Sequence, residues 1–200
     1  MRQLLPLAVV ASFVITSAAS AASSHLSPAA YTAITRMYAL AGQADVSPDG
    51  APADAGTALR RAVCDRLPRA HGDRQVGLIL DDCAATAQAI GPMTAALACT
   101  SPDCIRSPAA AVVRAVARSH RAEARLASTV SGTCHRVLGS DARATARMGR
   151  AWREVLRAAR HGSQQEVIAA IFRVVDADIA GEGVHRRLKA WAPSGPDRLA

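Results

Sequence analysis

A chain of 200 residues with half of them hydrophobic and a formal charge of +8 is long enough for one domain with a real core. Alanine dominates, the whole sequence holds two Trp, two Tyr and two Phe, and alternating β-branched or aromatic runs are missing, which excludes a sheet-built core and predicts an all-α protein. The basic charge is almost entirely arginine, with Lys189 the sole lysine, and nothing after the first two dozen residues is apolar enough to span a membrane.

The chain opens with the layout of an export signal. Arg2 supplies a positive start, Leu4 to Ile15 form a short apolar stretch, and Thr16 to Ser23 are small, with Ala19-Ser20-Ala21 fitting the cleavage rule. Residues 1–21 are therefore expected to be a cleaved signal peptide, and the mature protein to be periplasmic or extracellular. Residues 22–192 then form a single helical domain.

Within it, Ser27-Pro28 is an N-cap followed by proline at the first helical position, and Gly42 closes that helix. Residues 43–56, rich in Asp, Pro, Ala and Gly, read as a flexible loop. A helix near Ala53 to Leu67 carries Leu59, Val63 and Leu67 at helical spacing. After a turn at Pro68 to Gly72, Asp73 caps a helix through Val76, Leu78, Ile79, Leu80 and Cys83 to Ile90. Gly91-Pro92 is expected to kink or break it before a short helix to Cys99. Ser107-Pro108 is read as the start of the next helix, with Val112, Val113, Val116 and Leu126 on its apolar face. Gly139-Ser140-Asp141 is read as a separator, followed by a helix from Ala142 to Arg160. Ser163 with Glu166 three residues on is a capping box, opening a helix whose stripe is Val167, Ile168, Ile171, Phe172, Val175 and Ile179. Gly181 and Gly183 are expected to stop it. A short helix ending near Trp191 precedes a disordered tail, 193–200.

All five cysteines, Cys64, Cys83, Cys99, Cys104 and Cys134, lie in the exported part. In an oxidising compartment they predict two disulfides and one leftover thiol, which gives the chain a means of forming a disulfide-linked dimer. Spacing leaves the connectivity open, although the turn between Cys99 and Cys104 makes a local bridge sterically feasible. The expected architecture is a disulfide-stapled bundle of about six helices.

Charge is unevenly spread. Residues 106–160 hold twelve Arg against Glu123, Asp141 and Glu154, a net of +9, whereas 22–105 carry −2 and 161–200 are neutral. Arg114, Arg118, Arg121 and Arg125 recur on one face of one helix, and Arg143, Arg147, Arg150 and Arg157 on one face of the next. Guanidinium groups offer fork-shaped donors for phosphate and carboxylate. Read together, the rows predict a non-catalytic binding or interaction protein whose anion-binding surface meets lipid headgroups, polysaccharide or an acidic partner protein. Export and the scarcity of aromatics disfavour nucleic acid. The alternative is an all-α enzyme or small-molecule carrier holding an anionic ligand with Arg residues in an interhelical cleft.

Motifs for chemistry are scarce. There is no G-x-S-x-G, phosphate loop or H-E-x-x-H, and Asp81 and Asp82 are adjacent, so their side chains diverge by about 100° on a helix. Cys134-His135 lacks the first cysteine of the haem motif C-x-x-C-H, and zinc-type spacing is missing. No metal or cofactor is expected.

Overall fold

The computed structural model describes residues 25–41 and 52–191. The expected signal peptide (1–21), residues 43–51 of the expected loop and the expected tail (193–200) lie outside the described residues. Six α-helices account for nearly all the rest: α1 (Pro28–Ala41), α2 (Pro52–Ala62), α3 (Arg74–Leu97), α4 (Pro102–Ser128), α5 (Gly132–His161) and α6 (Gln164–Trp191), with a single 3-10 turn, Cys64–Arg66, after α2. The described residues contain no β-sheet, as composition predicted.

The helix starts follow local chemistry. Ser27 Oγ accepts the Ala30 N–H (3.1 Å) and donates to Asp73 Oδ2 (2.5 Å). Asp73 in turn accepts the Gln75 and Val76 N–H groups at the head of α3. Gln75 continues the network, receiving the Ser27 N–H and donating to Thr129 Oγ1, so one cap ties the beginnings of α1 and α3 to the end of α4. At α6 the capping box forms reciprocally, Ser163 N–H to Glu166 Oε2 and Glu166 N–H to Ser163 Oγ, which satisfies two otherwise orphan donors.

Tertiary order follows chain order. α4 packs along α3 on one side and α5 on the other, α5 packs on α6, and α2 and α1 lie on α3. The antiparallel register of α4 and α5 is marked by side chains bonding across to backbone carbonyls: Arg106 Nε to Ala159 O, His120 Nδ1 with Ala142 O, and His135 Nδ1 with Ala127 O. α3 and α6, at the two ends of this series, scarcely touch. The apolar interior forms two clusters. One gathers Ile34, Val63, Ile79, Leu126, Leu138 and Leu188, and the other surrounds the fully buried Trp152 with Ile105, Val112, Val155 and Val167.

Several boundaries differ from those expected, for one recurrent reason: packing outweighs the roughly 1 kcal/mol that glycine costs within a helix. α3 continues unbroken through Gly91-Pro92. Gly91 is buried there, and Gly56 of α2, read from sequence as loop, approaches α3 so closely that a Cβ would strike the Ala87 carbonyl oxygen. α4 begins at Pro102 behind the cap of Ser101, whose Oγ accepts the Cys104 N–H, and Pro108 sits inside the helix. α5 begins at Gly132, where φ is +60°, and continues through Gly139-Ser140-Asp141. α6 continues through Gly181 and Gly183 to Trp191.

The face of α6 is also reversed in part. Val167 is buried and Ile171 half-buried, but Ile168, Phe172, Val175 and Ile179 are exposed by 45–65%. The inward row is instead Val167, Ala170, Val174, Val184 and Leu188. α6 carries two apolar rows, and the one with smaller side chains lets it lie close to α5.

Two disulfides staple the bundle. Cys64–Cys83 joins the 3-10 turn to α3 across 19 positions, and Cys99–Cys104 closes the α3–α4 turn across 5. Loop-closure entropy predicts that the Cys64→Ser/Cys83→Ser double variant loses about 3 kcal/mol and the Cys99→Ser/Cys104→Ser variant about 2 kcal/mol. Urea unfolding of the two variants should rank them in that order.

Candidate functional site

Between the two apolar clusters lies a polar layer built from the middle of three consecutive helices. α3 contributes Asp82, α4 contributes Ser119 and Glu123, and α5 contributes Asp141 and Thr145. Each acid occupies a core register. Asp82 follows Leu78 and Ile79 by a turn, Glu123 falls seven residues after Val116 and three before Leu126, and Asp141 falls three after Leu138, spacings that share one helix face. Asp81, its side chain rotated by about 100° from that of Asp82, is exposed.

Hydroxyls stitch the layer across both helix interfaces: Ser119 Oγ donates to Asp82 Oδ1 (2.6 Å) and Thr145 Oγ1 donates to Glu123 Oε1 (2.9 Å). From α6, His185 Nδ1 stands 3.4 Å from Asp141 Oδ1, within ion-pair reach when the ring is protonated. Glu123 is 9% and Asp141 7% exposed, and Glu123 Oε2 and Asp141 Oδ1 are buried without a hydrogen-bond partner. Buried carboxylate oxygens are seldom left so.

The layer forms part of the wall of a cavity of about 300 Å³ in the gap between α3 and α6. Its remaining surface is largely apolar, with Met37, Leu59, Ile90, Met93 and Met148 among the contributors. A side chain at Gly181, also on the wall, would meet open space. The acids strongly disfavour ionisation. Burial, reinforced by Asp141, raises the Asp82 carboxyl to about 7 against the donation from Ser119. Burial, Asp82 and Asp141 push Glu123 up to about 9. Burial also raises Asp141, with His185 pulling the other way, and burial beside the three acids raises the Tyr38 phenol.

The sequence-predicted arginines lie elsewhere. Arg114, Arg118, Arg121, Arg125, Arg143, Arg150 and Arg157 are exposed and Arg147 is half-buried. Among the described residues none of the eight is in an ion pair; the pairs present involve Arg60, Arg106, Arg173 and His185. On α4, side chains that meet α5 (Val116, His120, Glu123) lie at least about 100° from every member of the Arg row at 100° per residue. The α4 row therefore points away from the α4–α5 seam, and on α5 Arg143, Arg150 and Arg157 face solvent. Among the described residues no arginine lines this cavity; arginines border other recesses, Arg157 and Arg173 between α5 and α6 and Arg60, Arg69 and Arg74 around the start of α3. The leftover cysteine, Cys134, is buried, and burial raises its thiol pKa. It is not placed to bridge two copies of the chain.

Among the described residues no group of His, Cys, Asp and Glu is arranged to hold a metal ion. Comparison of the chain with protein-family models, curated proteins and solved structures finds no match.

The acidic layer has a measurable consequence. Asp82 and Glu123 bind protons more tightly folded than unfolded, so their contribution is fully present below about pH 4 and is lost as pH rises through about 7 and then about 9. The urea midpoint should fall from pH 5 to pH 9. Glu123→Gln should flatten the upper part of that decline and raise the midpoint at pH 9 above that of the parent chain.

Proposed function

We propose that this is an exported helical binding protein that meets an anionic surface or acidic partner through the arginine rows of α4 and α5. The observation that carries the reading is that eight arginines lie on the outer faces of two long adjacent helices with no carboxylate partner among the described residues. Like charges at i, i+4 destabilise a helix slightly, and a guanidinium without a partner is available to bind phosphate or carboxylate bidentately. Two disulfides support an oxidising compartment. Among the described residues no helix is long and apolar enough to cross a membrane, in keeping with an exported domain after a cleaved signal.

Such contacts are screened by salt over roughly 10 Å at 0.1 M. Affinity for vesicles containing anionic lipid, or for heparin as an acidic polysaccharide, should fall at least about tenfold between roughly 50 and 300 mM NaCl. Arg114→Gln/Arg118→Gln/Arg121→Gln/Arg125→Gln should weaken it comparably at low salt without lowering the melting temperature. Binding that ignores ionic strength, or that survives this substitution, would overturn the reading.

A further inference from the structure

We propose that the cavity between α3 and α6 binds a small amphiphilic organic cation, an ammonium group carried on an apolar body, with the ammonium seated among Asp82, Glu123 and Asp141. The inference is independent of the arginine surface, which faces outward.

The sign of the site is the first argument. In a chain of charge +8, the cavity wall carries no Arg or Lys among the described residues, and its titratable groups there are Tyr38 from α1, Asp82 from α3, Glu123 from α4, Asp141 from α5, and Asp178 and His185 from α6. From α2 the described contributor is Leu59. The site also holds unfilled valence. Glu123 and Asp141 are each more than nine-tenths buried, both lie on the cavity wall, and each holds an oxygen without a hydrogen-bond partner, with the His185 ring nitrogen 3.4 Å from that of Asp141. An alkylammonium brings three N–H donors and no acceptor, which is what two orphan oxygens and the Asp82 carboxyl require. A protonated carboxyl set can also give up protons to supply the countercharge when a cation arrives.

Size and lining choose among cations. About 300 Å³ is at the lower end of small-molecule pockets and far more than a bare ion fills, and the described residues make no metal-binding group. Met37, Met93 and Met148 on the wall are unbranched and adaptable, suited to an apolar body of varied shape. A wholly polar cation such as a guanidine would leave this surface unused.

The test is calorimetric titration of the purified chain at pH 7.5 with butyl-, hexyl- and benzylammonium, with hexanol and hexanoate as neutral and anionic matches, and with Zn²⁺ and Ca²⁺ alone. At least one ammonium should bind with a stoichiometry of one and at least about tenfold more tightly than hexanol, with hexanoate weaker still. Affinity should rise from pH 6 to pH 8 and proton release should be seen across buffers of different ionisation enthalpy, a signature that apolar filling of a void does not produce. Glu123→Gln and Asp141→Asn should each weaken the ammonium at least about tenfold while keeping or raising the melting temperature of the empty protein. Asp81→Asn, one residue away but outside the cavity, should bind as the parent does. Equal affinity for hexanol, no saturable binding of any ammonium, unchanged binding by Glu123→Gln, or acid-dependent binding of the metal ions alone would overturn the proposal.

Discussion

Three carboxyl groups gathered in one layer of a helical bundle, Glu123 and Asp141 buried and Asp82 half-buried, constrain everything around them. Ionised together they would repel one another in a medium that solvates charge poorly, and neutral they still need hydrogen-bond partners. The bundle meets part of that demand with Ser119 and Thr145, whose hydroxyls reach across the α3–α4 and α4–α5 interfaces. It leaves two oxygens unserved. The layer also divides the apolar interior into two clusters, where one continuous core would bury more hydrocarbon. Replacing buried polar sets by packed apolar residues is often neutral or stabilising, so a structure that keeps such a layer on a cavity wall keeps it at a cost to stability, as binding sites commonly do.

The cavity follows from the same composition that made the fold helical. Alanine and glycine let helices approach closely: Gly56 against the Ala87 carbonyl, and Gly149, where a Cβ would come within 3.3 Å of Val116 Cγ1. With few large side chains, close approach at some seams leaves space at others, and the space collects where α3 and α6 fail to meet. The Cys64–Cys83 bridge and the Ser27–Asp73–Gln75 network hold the two short helices against α3. The outside carries the opposite sign. The acids face the cavity and the arginine rows face solvent, so the outer faces of α4 and α5 keep their positive character.

Much of the fold was legible, because caps and periodicity are local. Ser27, Asp73 and the Ser163–Glu166 box all cap as their residue types predict. Glycine and proline misled: Gly91, Pro92, Pro108, Gly139, Gly181 and Gly183 stand within helices that tertiary contacts keep intact. α6 carries two apolar rows, and periodicity alone could not say which would face α5. The cavity was less legible still. Glu123 and Asp141 were visible only as minor offsets to a run of arginine, and Asp82 only as half of a divergent pair. The signal that finds them is register: one acid on the apolar face of each of three successive helices. That signal shows which way each acid points, but only the helix packing shows that the three meet.

The central claim is that burial holds protons on these acids above the ordinary carboxylate range in the empty protein, and infrared spectroscopy reads this directly. A pH-difference spectrum of the folded chain should show the carbonyl absorption of protonated carboxyl groups persisting at pH 6. It should be lost in steps near pH 7 and 9, with the upper step missing in Glu123→Gln. A spectrum in which every carboxyl has ionised by about pH 5, as unperturbed Asp and Glu do, would contradict the account.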